Sequence, residues 1–138
     1  MTGTLPQTAK YALRAAAWLG SRPAGERYSA DAIAEATNVP PAFLRKVLRQ
    51  LVEADLLSSE KGHHGGFALS RPAEVVRFLD VVEAIHMDLF DPNCVFGWGS
   101  CDHRQPCPLH ASFLELKQAV IHWAASHTLA DADWSMLR

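Results

Sequence analysis

Long apolar runs, enzyme signatures and cysteine are all scarce in this chain of 138 residues. No run approaches the ~18 to 20 apolar residues that a membrane span needs, so no membrane partner is expected. The opening stretch MTGTLPQTAK lacks the charged segment, apolar core and small-residue cleavage site of a signal peptide. The expected location is therefore cytoplasmic. No P-loop, dinucleotide fingerprint or Ser/His/Asp grouping stands out, so the chain is expected not to be an enzyme. Internal repeats, low-complexity tracts and long linkers are missing too. The cysteines number three, and an odd count does not build a tidy disulfide framework. In a reducing compartment, clustered cysteines point instead to metal or redox chemistry.

All three cysteines fall in one stretch, Cys94 to His110, which reads CVFGWGSCDHRQPCPLH. Six residues separate Cys94 from Cys101, five separate Cys101 from Cys107, and His110 follows three positions later. Gly, Pro and Asp mark the stretch as a loop between two helical segments. Thiolates are soft ligands that favour iron–sulfur clusters, zinc and copper. Three cysteines fix three positions; His110 is a natural fourth ligand and His103 a second candidate. A Cys3His set satisfies a tetrahedral zinc as well as a cluster. Structural zinc sites favour closer pairs such as CxxC, so the wide gaps lean toward iron–sulfur, with zinc kept open.

Around this loop the pattern is largely helical. Thr8 to Ser21 is amphipathic at a 3.6-residue period, with Ala9, Ala12, Leu13, Ala16, Ala17 and Leu19 apolar. Lys10 and Arg14 lie on its polar face, either solvated or contacting phosphate. Ser29 suits an N-cap for a second helix through Thr37. Asn38-Val39-Pro40 is a tight turn, and Pro41 opens a third helix whose apolar positions are Phe43, Leu44, Val47, Leu48, Leu51 and Val52. Arg45, Lys46 and Arg49 fall on its outer face. Two helices joined by about three residues form a helix-turn-helix.

Two alternating runs follow, Leu56 to Glu60 and Phe67 to Ser70, joined by Lys61-Gly62-His63-His64-Gly65-Gly66. Glycines supply the positive φ that a hairpin turn requires. The fold class expected is thus mainly α with a small β-hairpin: a winged helix-turn-helix. A positive charge at the wing tip suits a minor groove. A fourth helix is expected over Arg77 to Met87, with His86 near its end suiting the helix dipole. A fifth is expected from Pro108 to about Ser126, where Leu109, Phe113, Leu116, Val120 and Trp123 make a straight apolar seam. A partner chain would cover that seam, in a homodimer reading two half-sites; the alternative is packing on its own domain. Charge divides along the chain: residues 1–77 hold ten Lys and Arg against seven Asp and Glu, residues 78–138 three against eight. A mildly basic first part is compatible with a nucleic-acid face. The expected organisation is a DNA-binding region over residues 1–77, then a cluster loop and dimerisation helix over 78–138, within one compact domain.

The strings KYALRAAAWL, DAIAEATNVPPAFLRKVLRQLVEADLL and KGHHGGFAL, together with the three-cysteine loop, resemble the IscR/NsrR (Rrf-two) type of winged-helix regulators over about Leu5 to Leu129. The resemblance implies a homodimer with crossed fifth helices, binding operator DNA, repressors among its kind. It implies sensing of iron–sulfur status, nitric oxide or redox stress through a cluster on Cys94, Cys101 and Cys107. One branch takes its fourth ligand from a histidine placed as His110 is; another uses an acidic residue where this chain has Lys10. The matching branch usually holds [2Fe–2S], and [4Fe–4S] or zinc stay open. Ala42, Phe43, Arg45 and Lys46 resemble the base-contacting set, with Arg49, Lys61, His63 and His64 beside them on the DNA side. Arg45 stands where an acidic residue is more usual, Lys61 where the wing has an arginine, and the first cysteine gap is one residue longer. The competing expectations are a winged-helix regulator with structural zinc or a thiol redox switch, and a small iron–sulfur redox protein.

Overall fold

The computed structural model describes residues 5–87, 96 and 104–136. Its elements run α1 (Gln7–Gly20), α2 (Ala30–Thr37), α3 (Pro41–Glu53), β1 (Leu57–Glu60), β2 (Gly66–Leu69), α4 (Phe78–Ala84) and α5 (His110–Ser126). Short 3₁₀ turns lie at Ala73–Val75, Leu129–Asp131 and Trp134–Met136. The expected mainly helical fold with one hairpin is the fold observed. Among the described residues, no helix is long and apolar enough to cross a membrane.

The core lies where α1, α2, α3 and α4 meet. Ile33, Leu44, Val47, Leu48, Leu51, Val76, Val81, Val82 and Leu129 are its fully buried large side chains. Each contributes roughly 1.5–3 kcal/mol of apolar burial. α1 meets this core through Ala9, Ala12, Ala15, Ala16 and Ala17, whose small side chains let the helices approach closely. Leu129 joins from the far end of the chain: its N–H donates to Val76 O at 2.9 Å and its side chain is buried. An isolated antiparallel bridge between Arg77 and Thr128 ties the start of α4 to the segment after α5.

Three helices end on non-glycine residues in the left-handed region. Asn38, Asp55 and His86 have φ of 56°, 61° and 56°. In each case the next residue's N–H returns to a carbonyl five positions earlier: Val39 to Ala34, Leu56 to Leu51 and Met87 to Val82. This is the Schellman arrangement, for which Gly is the usual residue and Asn, Asp and His are the tolerated substitutes. It explains why α4 stops at Ala84, short of the expected Met87. His86, two residues past Ala84, is accordingly the residue that ends the helix. The start of α4 is fixed by Asp80, which accepts from Arg77 N–H at 2.9 Å and from Arg77 Nη2 at 2.7 Å. α5 begins at His110 and not at Pro108, because Cys107 to Leu109 form a turn closed by His110 N–H on Cys107 O at 3.0 Å.

Candidate nucleic-acid interface and cysteine segment

The helix α2 is tied at both ends. Ser29 Oγ accepts from Ala32 N–H at 3.1 Å, the expected N-cap. At the other end Arg14 Nη1 donates to Thr37 O at 3.2 Å and Asn38 O at 3.3 Å, and Thr37 Oγ1 donates to Ile33 O at 2.6 Å. The Arg14 side chain thus closes the end of α2. Pro40 and Pro41 then start α3, where Pro costs no hydrogen bond.

α3 divides cleanly. Leu44, Val47, Leu48 and Leu51 are buried, while Ala42, Arg45, Lys46 and Arg49 are exposed. Phe43 is half-buried, its ring edge-on to Tyr11 with centroids 5.2 Å apart. Arg45 Nη2 lies 3.1 Å from Asp31 Oδ1 at the start of α2. The structure thus brings four of the five candidate residues of this helix to one solvent face and turns the fifth partly inward.

The hairpin pairs Leu57 with Leu69, Ser58 with Ala68, Ser59 with Phe67 and Glu60 with Gly66. Lys61, His63 and His64 are exposed at its tip, the two imidazoles edge-on with centroids 4.6 Å apart. Gly65 and Gly66 are required there: a Cβ on Gly65 would sit 2.2 Å from Glu60 O, and one on Gly66 2.5 Å from Tyr28 O. Tyr28 adds a one-residue third strand, exchanging N–H···O bonds of 3.0 and 2.8 Å with Phe67. Beside it Arg27 Nη1 donates to Ser58 O at 3.2 Å and Gly66 O at 3.3 Å, with Nε 3.5 Å from a Glu60 carboxylate oxygen. Arg27 and Asp31 were not singled out in the sequence. Neither belongs to a local pattern; each acts through a partner 14 or more positions away. The Tyr28 hydroxyl donates to Glu26 at 2.6 Å, and that bond to a carboxylate raises its pKa.

Of the proposed thiolate set, Cys94, Cys101 and the alternative His103 lie outside the described residues. Cys107 and His110 are both half-buried and one turn apart at the start of α5. Among the described residues, no three His, Cys, Asp or Glu side chains are grouped to hold a metal ion. The donor chemistry fits a soft metal or cluster: thiolates with one imidazole, within a 17-residue stretch. On α5, Leu116, Ile121 and Trp123 are exposed to between 41% and 51%, as is Leu109 just before it, and within the helix only Ala124 is fully buried. The seam is therefore covered only in part by the described residues: Phe113 and Val120 are half-buried, and Trp123 meets Phe78 edge-on with centroids 5.5 Å apart. Leu5, Ala119, Val120 and Trp123 line an apolar depression along it.

A family model described as Rrf2, an iron-dependent transcriptional regulator, matches residues 5–132. The chain belongs to the Rrf2 family. The family is one of transcriptional regulators, and the fold here is its winged-helix class. A protein of Mycobacterium tuberculosis strain H37Rv, assigned by name to the HTH-type transcriptional regulators, is 35% identical over 77 residues, which are 56% of this chain and 48% of that protein. The chain spans about half the length of the curated relatives it matches. Among solved structures it resembles CymR of B. subtilis, titled the global cysteine regulator, at a TM-score of 0.79, 18% identity and 99% coverage of each chain. T. potens IscR gives a TM-score of 0.74 at 19% identity, covering 97% of this chain and 91% of that one. An oxidized form of Staphylococcus aureus CymR gives 0.72 at 20% identity, covering 100% and 98%. At these identities the likeness is one of fold, and it bears out the winged-helix class.

Proposed function

We propose that this Rrf2 protein is a homodimeric regulator whose grip on operator DNA is set by an iron–sulfur cluster held by Cys94, Cys101, Cys107 and His110. The observation that carries the DNA half is the division of α3: one face fully buried, the other presenting Ala42, Arg45, Lys46 and Arg49 to solvent. A helix held rigidly on its apolar side, with arginine and lysine outward, fits a major groove. Phe43, half-buried, adds an apolar contact at the groove edge. Lys61, His63 and His64 extend the wing toward the adjacent minor groove. Residues 1–77 read DNA, and 78–138 carry the cysteine segment and dimerisation helix of the same compact domain.

The partly exposed seam of α5 supports the dimer, since Leu116 and Trp123 at 51% and 41% exposure leave apolar surface that a partner would cover. The cluster half rests on the donor set and on Cys107 and His110 meeting at the first turn of α5. When bound, a cluster supplies a redox-sensitive tie among four side chains, [2Fe–2S] being the form favoured and [4Fe–4S] the alternative. For the chain itself, holding Cys107 and His110 fixes where α5 starts, and so the spacing of two recognition helices in a dimer.

Protein purified without oxygen should be coloured, with iron and sulfide in stoichiometric amounts, and Cys101→Ala should be colourless. Its affinity for operator duplex should fall steeply with salt and change on loss of colour. Colourless wild-type protein with one zinc per chain sinks the cluster assignment and leaves the zinc or thiol reading.

A further inference from the structure

Among the described residues, Arg45 is the one arginine of the α3 solvent face in an ion pair, and its partner is on the other helix of the motif. Its Nη2 is 3.1 Å from Asp31 Oδ1, and the two side chains are 59% and 77% exposed. Stability does not account for the pair. Exposed ion pairs are worth little, because solvent screens them and two long side chains lose freedom. Asp31 is already favoured where it stands, in the first turn of α2, by the helix dipole. The geometry matters more for what it does to the guanidinium. That group is a planar fork of five N–H donors, and a single carboxylate oxygen holds one Nη2 donor. The fork's other donors remain for a second partner.

Guanine is read in the major groove by two parallel donors, one to O6 and one to N7. A flexible arginine loses much rotamer freedom on making that pair; one already held by a carboxylate loses less. The carboxylate also neutralises Arg45 locally, which makes it a poor partner for any passing phosphate. We propose that Asp31 is a specificity-determining residue for DNA binding: it braces the Arg45 guanidinium so that the free edge meets a guanine, and withholds Arg45 from non-specific phosphate contact. The proposal rests on reading α3 as the recognition helix. Asp31 acts through Arg45 and is a positioning residue.

The test uses full-length protein prepared identically for all variants. A library of randomised duplexes is enriched on wild-type protein, and binding is then measured on the best duplex, on that duplex with each guanine replaced in turn, and on an unselected duplex, at several salt concentrations. One guanine per half-site should lose its effect in Arg45→Ala. Asp31→Asn should weaken the selected duplex about two- to fivefold, the most that an exposed ion pair can contribute. It should leave the unselected duplex unchanged or bound more tightly, and add nothing in the Arg45→Ala background. Asp31→Glu, which keeps the carboxylate, should retain the preference. An equal change on every duplex overturns the proposal, because a loosened α2 or simple charge repulsion acts that way. So does an unaltered base preference in Asp31→Asn. Wild-type protein with no salt-sensitive duplex binding overturns the recognition-helix reading itself, and this proposal with it.

Discussion

Arg14 Nη1, on the first helix, lies 3.2 Å from the carbonyl oxygen of Thr37, at the end of the second. With Asn38 O at 3.3 Å, it satisfies two acceptors that the end of a helix otherwise leaves to water. Arg14→Ala should therefore lower stability by about 1–2 kcal/mol, the range for losing a partner of this kind. If its role is this closure, the slope of log affinity against log salt should stay as in wild type, whereas a phosphate contact would reduce it by roughly one unit. Thermal unfolding and a salt titration of duplex binding separate the two.

Arg27 should matter to the wing more than its place in a connecting segment suggests. Its two carbonyl partners, Ser58 and Gly66, lie on opposite strands. Arg27→Ala should raise amide exchange across Ser58 to Phe67 and cost about 1–2 kcal/mol, while α3 exchange stays unchanged.

The Asp80 carboxylate carries a pH signature. The Arg77 side chain bonded to it holds its pKa below the ordinary 3.8. The unfolded chain therefore takes up this proton first as pH falls. Stabilisation from the pair is complete above the unfolded value and is lost as pH drops through the lower folded value. Wild-type protein should lose thermal midpoint more steeply below roughly pH 5 than Asp80→Asn, which keeps an acceptor for the Arg77 N–H but has no charge to titrate. Parallel curves for the two proteins would remove Asp80 as a source of acid sensitivity.

Asp55→Gly and His86→Gly should each stabilise the fold by about 0.5–1 kcal/mol, because both residues sit at positive φ, where a side chain is strained. A lower unfolding midpoint in either variant would mean that the side chain makes a contact worth more than the strain.

Leu116→Glu on the open face of α5 should dissociate the proposed dimer while leaving the unfolding transition of the domain within ~0.5 kcal/mol of wild type. Sedimentation equilibrium reads the first effect and denaturant melts the second. A dimer that persists unchanged would place the interface elsewhere.

The helix-turn-helix and wing were legible because their signals are local. Ser29 caps, Pro41 starts, Gly65 and Gly66 turn, and the period of α3 sorts buried from exposed. Element ends were less legible: three of them rest on Asn38, Asp55 and His86 adopting a conformation usually left to Gly. The roles of Arg14, Arg27 and Asp31 were not readable at all. Each depends on a partner brought close by packing, and no periodicity encodes that. Of the cysteine segment, the sequence carries the donor set, and the fold adds that Cys107 and His110 stand at the head of α5.

The anchoring of Leu129 has a mechanical consequence. With Leu129 seated under α1 and Thr128 bridged to Arg77, the C-terminal end of α5 is pinned to the helical core. Its 17 residues extend about 25 Å from that pin to His110. α5 is thus a lever with its fulcrum at Leu129 and its long arm ending at Cys107 and His110. A tilt of about 5° about the fulcrum displaces the far end by about 2 Å. Conversely, small shifts imposed at the cysteine end are geared down where α5 meets α4, so a signal entering there acts on whatever the arm touches along its length before it acts on the core.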